Sequence, residues 1–160
     1  MYQLAYDLPL INMTKRLEGI RKKFKNIAFI GPNPYLFLQH MPKNYEVEKF
    51  YFCEMSEVSL QKSYDIITER VENGFFDKTK TNVPDEMIPV VIDEETEWLD
   101  KFKEDQFDLI VNNMTIHWLN DLQQTFKNFH HTLEPDGVFI ASAYGGDTLQ
   151  EMRICFNLAE

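Results

Sequence analysis

Residues 107–144 read FDLIVNNMTIHWLNDLQQTFKNFHHTLEPDGVFIASAY. Phe107 to Val111 is an apolar run short enough to predict one buried strand. Leu119 to Leu133 carries the spacing of an amphipathic helix, and Glu134-Pro135-Asp136-Gly137 supplies the turn chemistry that stops it. Val138 to Tyr144 is a second apolar run. Both runs are continuous rather than alternating, the pattern of strands covered on both faces. A helix between two such strands predicts a parallel pair joined by a crossover.

The same unit repeats upstream. Asn26 to Gly31 and Lys49 to Glu54 are apolar runs, the first closed by glycine and the second ending in an acid. Pro34 suits the first turn of a helix carrying Tyr35, Leu36, Leu38 and Met41. Ser56 suits the N-cap of a helix running towards Arg70. Residues 72–88 read as a surface excursion, and Ile88 to Ile92 as a strand weakened by Pro89. The acidic stretch Asp93 to Asp100 reads as a solvated loop or helix. Leu10, Ile11, Met13, Leu17 and Ile20 form a helical stripe near the N-terminus. Downstream, Gly145-Gly146 breaks the fifth strand, and Thr148 with Glu151 has capping-box spacing for a last helix. Five strands alternating with helices predict an α/β, Rossmann-like fold: a mostly parallel sheet with helices on both faces. Ligands in such folds bind beyond the carboxyl ends of the strands.

Composition narrows the function classes. The 160 residues carry 26 acids against 16 bases, a net charge of −10, which argues against a nucleic-acid partner. The bases Lys15, Arg16, Arg21, Lys22, Lys23 and Lys25 cluster early, as a solvated helix face or a surface for an acidic partner. Cys53 and Cys155 are too few for a disulfide scaffold and lie in no nucleophile motif; Cys53 reads as core. His130-His131 has no carboxylate or cysteine at metal spacing, so no metal ligand is expected. No apolar run is long enough to cross a membrane, and no clear transit peptide is visible.

Three segments together carry a family resemblance: Phe107 to Asn113, Ile116-His117-Trp118-Leu119-Asn120-Asp121, and Leu133-Glu134-Pro135-Asp136-Gly137-Val138-Phe139. They resemble the fourth and fifth strands of class I S-adenosylmethionine methyltransferases. Gly145-Gly146-Asp147-Thr148-Leu149, with Glu151, Arg153 and the upstream His117-Trp118, is similar to the methyltransferase-like assembly factors of mitochondrial respiratory complex I. The resemblance implies one methyltransferase-like domain over residues 1–160, incomplete because the family adds two strands beyond the last helix. Such a remnant is expected to expose a sheet edge and apolar helix surface that another chain covers.

The family has an acid ending its first strand and then a Gly-x-Gly-x-Gly loop, whose glycines let the backbone approach the methionine end and ribose of the cofactor. In this chain Phe29 stands at the acid, Gly31 at the first glycine, Asn33 and Tyr35 at the second and third, and Pro32 and Pro34 remove two amides. The acid after the second strand, which in the family holds the ribose hydroxyls, matches Glu54; a solvated carboxylate is the alternative. The family's next acid, near the adenine, falls around Glu95 or Thr96. His117 is either a satisfied histidine packed beside Trp118 or a pocket residue, and Asp147 belongs to a turn and cap.

The resemblance therefore implies Gly31, Glu54 and His117 as cofactor-binding positions, vestigial unless the pocket works, with no catalytic residue. The expected protein is a non-catalytic accessory subunit or assembly component of a mitochondrial complex, complex I (NADH dehydrogenase), without a cofactor and with an occluded or collapsed pocket. Its partners are protein subunits of that membrane complex. The alternative is an active S-adenosylmethionine-dependent methyltransferase or arginine hydroxylase acting on a complex I subunit.

Overall fold

A computed structural model describes residues 2–42, 45–74, 83–146, 148 and 150–159. In chain order the elements are α1 (Tyr2–Leu17), β1 (Asn26–Ile30), α2 (Pro34–His40), β2 (Lys49–Glu54), α3 (Glu57–Glu72) and β3 (Glu86–Val91). There follow α4 (Trp98–Lys101), β4 (Phe107–Asn113), a 3-10 turn (Ile116–Trp118), α5 (Leu122–Thr132), β5 (Leu133–Ser142) and α6 (Gln150–Ala159). The strands form one five-stranded sheet in the order β3-β2-β1-β4-β5, and every pair is parallel. β1 lies at the centre, where the direction of strand addition reverses, so the cleft above β1 and β4 is where this topology places a ligand.

Alternation along the strands divides the core. Ile27, Phe29, Phe50, Phe52, Leu109 and Val111 pack with buried side chains of α1, α2 and α3. Ala28, Ile30, Cys53 and Ile110 face the other way, onto Trp98, Phe102, Phe107 and Phe129. The second cluster is aromatic: the Trp98 ring lies 4.6 Å from Phe102 and 4.7 Å from Phe129, centroid to centroid. Its indole Nε1–H donates to Thr132 Oγ1 at 2.9 Å, so the buried polar atom is satisfied.

Several sequence expectations shift. Pro89 is accommodated because β3 is an edge strand, where a missing N–H removes nothing from a second neighbour. The helix expected from Leu119 starts at Leu122, because the Asp121 carboxylate caps it, accepting from Gln124 N–H at 2.9 Å. The Leu133–Gly137 stretch does not separate helix from strand but forms a bulge within β5. Phe107 pairs with Leu133 and Leu109 already with Val138, and Asp136 takes φ 63° to allow it.

Lys22, Lys23 and Lys25 follow α1 rather than lying on a helix face, and pair with Glu134, Glu46 and Glu48 at 2.5, 3.5 and 2.6 Å. α6 starts at Gln150, two residues after Thr148. Residues 75–82 of the 72–88 excursion, and Asp147, lie outside the described residues, while Glu72 ends α3 and Glu86 to Ile88 already belong to β3.

Candidate functional site

Gly31 ends β1 at φ 104°, a conformation that L side chains rarely adopt. A Cβ there would lie 2.5 Å from the Asn113 carbonyl oxygen and 2.9 Å from Thr115 Cγ2, so β1 and β4 converge only because the residue is glycine. The turn that follows keeps a glycine-like path without glycines. Asn33 adopts φ 65°, ψ 46°, the left-handed region asparagine tolerates best among non-glycine residues. Its side-chain amide donates to Asp7 Oδ1 of α1 at 2.8 Å. Tyr35 turns into the first core, and the Arg70 guanidinium lies 4.3 Å from its ring centroid. In the turn itself Pro32 and Pro34 have no N–H, and Gly31 donates its own to the Cys53 carbonyl at 3.2 Å. The backbone amides of Asn33 and Tyr35 are the remaining donors.

Two buried asparagines fasten this turn to the sheet. Asn113 Nδ2 donates to the Pro32 carbonyl at 3.0 Å, and its Oδ1 accepts from Ser142 Oγ at 3.1 Å, joining β1, β4 and β5. Asn112 Oδ1 accepts from the amides of Thr115 and Ile116, both at 3.2 Å, and fixes the exit of β4. Sequence reasoning gave neither a role. The available signal was two consecutive amides ending an apolar strand.

A cavity of about 450 Å3 opens at the carboxyl ends of β1, β2 and β4, with Gly31, Cys53, Glu54, Glu94, Thr115 and Trp118 on its walls. The collapse expected of a degenerate loop is absent, because Asn33 supplies the positive φ that the turn needs. Glu54 lies where the sequence placed it, past β2. Its Oε1 accepts from the Met55 and Ser56 amides at 3.1 and 3.4 Å, leaving Oε2 as an acceptor. His117 lies beside the cavity rather than on its wall, with its ring centroid 5.2 Å from Trp118 and 4.8 Å from Tyr144. It is not a satisfied histidine: Nδ1 is buried without a hydrogen-bond partner among the described residues.

The acidic stretch after β3 is exposed at Thr96, Glu97 and Asp100 and enters α4 at Trp98, but it is not solvated throughout. Glu94 is buried in the cavity wall, and its carboxyl is pushed up from the usual range, first by burial and then by the charges of Asp93 and Glu54, against a hydrogen bond with Thr115. Glu95, expected near the ligand, turns away. Its carboxylate accepts from the Asn120 and Asp121 amides at 3.1 and 2.7 Å, and these bonds hold its pKa down. Burial likewise pushes the Cys53 thiol up, so it is present as a neutral thiol. Among the described residues no group of His, Cys, Asp and Glu could hold a metal ion. No helix of the described residues is long and apolar enough to cross a membrane.

A methyltransferase-domain family model matches residues 54–141. The human "Arginine-hydroxylase NDUFAF5, mitochondrial" is 31% identical over 162 residues, covering 89% of this chain and 46% of the relative. The mouse protein of the same name is 38% identical over 145 residues, covering 91% and 36%. This chain thus spans less than half the length of these curated relatives. Among solved structures, a SAM-dependent methyltransferase of Leishmania major superposes with a TM-score of 0.62 at 14% identity, covering 92% of this chain and 53% of that one. At that identity the likeness shows the fold.

Proposed function

This chain belongs to the methyltransferase-domain family, and from that premise we propose that it is a non-catalytic, methyltransferase-like accessory or assembly component of mitochondrial respiratory complex I. In this reading residues 1–160 form one methyltransferase-like unit and act through contacts with protein subunits of the complex. The mitochondrial setting follows the printed names of the human and mouse relatives.

The observation that carries the non-catalytic half is the turn Gly31-Pro32-Asn33-Pro34-Tyr35. S-adenosylmethionine has a free carboxylate at its amino-acid end, which needs donors or a cation. Against it the turn offers only the Asn33 and Tyr35 amides, and no Lys, Arg or His is among the described residues of the cavity wall. Two amides and no cation do not fit the amino-acid end of that cofactor.

A second reading, an active cofactor-dependent methyltransferase or arginine hydroxylase, is favoured by one observation: the cavity is open, with Glu54 Oε2 facing no partner among the described residues. Two measurements separate the readings. Native pull-down from mitochondria, resolved on blue-native gels, is expected to show the chain in complex I or its assembly intermediates. A free small species would overturn that expectation. Incubation with S-adenosylmethionine and complex I subunits, followed by peptide mass spectrometry, is expected to leave arginines unmodified. Modification lost in Glu54→Ala would establish the enzyme.

A further inference from the structure

The end of the sheet opposite the cavity holds a second pair of acids. Asp108, near the start of β4, is buried, and its Oδ2 accepts two backbone amides of the α1–β1 connection, Lys25 and Asn26, both at 2.6 Å. The Asp108 carboxyl also shares a hydrogen bond with the carboxyl of Glu134, in the β5 bulge. Two carboxyl groups bond to one another only through a proton, so the pair is one acid and one carboxylate. Lys22 decides which is which: its Nζ lies 2.5 Å from Glu134 Oε1 and donates to the Pro135 carbonyl at 3.3 Å. The ammonium favours charge on Glu134 and burial favours the neutral form of Asp108, so the proton resides on Asp108. Other charges surround the pair. Lys25 is engaged by Glu48 at 2.6 Å and Lys23 by Glu46 at 3.5 Å. Glu104, Asp105, His130, His131 and Asp136 line a cavity of about 390 Å3 together with Glu134.

We propose that Asp108, Glu134 and Lys22 form a one-proton latch that fastens the β5 bulge to the α1–β1 connection and opens as pH rises. When the Asp108 proton passes to solvent, two carboxylates face one another with a single ammonium between them, and no hydrogen joins them. Asp108 keeps its two amides, so the part that moves is the Glu134 side, the bulge of edge strand β5. Burial raises Asp108 above 3.8, so its share of the closed state is complete below that value and is lost as pH rises through the folded value. The Lys22 bond lowers Glu134 below 4.5, so its share is present above that value and is lost as pH falls through the folded value. The latch is closed between the two folded values.

The test follows the full chain by NMR, reading the Asp108 and Glu134 carboxyl carbons and the Val138 amide, the first residue paired with β4 after the bulge. In the parent, Asp108 is expected to titrate above Glu134. Above that titration the Val138 opening constant, corrected for intrinsic exchange, should grow by up to about tenfold per pH unit. Asp108→Asn keeps the latch closed without a proton, since its oxygen accepts the two amides and its NH2 donates to Glu134, so the growth should vanish. Glu134→Gln, which offers Asp108 an amide donor, should lower the Asp108 titration by about one pH unit or more. His130→Gln with His131→Gln should leave the pH dependence of Val138 as it is in the parent. Glu134 titrating above Asp108, growth that persists in Asp108→Asn, or growth that disappears with the two histidines overturns the latch. If Asp108→Asn does not fold, the Glu134→Gln titration decides, and an unmoved Asp108 overturns it.

Discussion

At Gly31 two constraints coincide, a φ of 104° and a would-be Cβ 2.5 Å from backbone oxygen, and neither can be relieved by moving a side chain. Gly31→Ala is therefore expected to cost about 2 kcal/mol or more, measured by urea unfolding. Asn33 differs: its left-handed backbone suits glycine, so Asn33→Gly should be nearly neutral, whereas a β-branched Asn33→Val should cost about 1–2 kcal/mol. Glu94 adds a pH signature. Burial raises its folded pKa above the ordinary 4.5, so the stability of the neutral form is complete below that value. It is lost as pH rises through the folded value. Glu94→Gln should accordingly gain stability relative to the parent as pH climbs towards neutrality, with a slope no steeper than about 1.4 kcal/mol per pH unit. A flat difference in unfolding titrations would show that Glu94 is not held neutral.

Elements are held by end-to-end bonds that the strand pattern alone does not specify. Ser56 Oγ accepts from Ser59 N–H at 3.3 Å and caps α3; Ser56→Ala should cost about 1 kcal/mol in denaturant unfolding. The Glu95 carboxylate holds the amides of Asn120 and Asp121 just ahead of α5, tying the post-β3 turn to that helix. Its pKa is lowered by these bonds, so the tie is complete above the ordinary carboxylate value of 4.5 and is lost as pH falls through the folded value. Hydrogen exchange should show protection at Asn120 and Asp121 that Glu95→Ala removes at neutral pH. Unchanged protection would assign it to the helix alone.

Across the whole molecule, burial is uneven on the two flanks of the chain. Trp98 is fully buried among Phe102, Phe107 and Phe129, so Trp98→Ala should cost about 3–5 kcal/mol. On α6, Phe156 and Leu158 are 64% and 82% exposed, and Phe156→Ser with Leu158→Ser should change stability by no more than about 0.5 kcal/mol. Thermal unfolding of both variants checks the contrast. A large loss in the α6 variant would mean that this helix packs in solution.

The sequence by itself determined the layered architecture, because buried parallel strands must be continuous apolar runs and their crossover helices must show a helical stripe. All five strands, the Ser56 cap and the chemistry of the Gly31 turn were legible in that way, as was the position of Glu54 at the end of β2. The strand order, the bulge inside β5 and the division of the acidic stretch into an inward Glu94 and an outward Glu95 were decided by the tertiary structure. Neighbouring acids on an irregular turn have no periodicity to read. Which one is buried depends on where Thr115, Asn120 and Asp121 arrive from β4 and its exit, some 20 or more residues away in sequence. The open cavity was likewise hidden, since two prolines and two missing glycines suggest collapse until Asn33 is seen to take the left-handed conformation that keeps the turn in place.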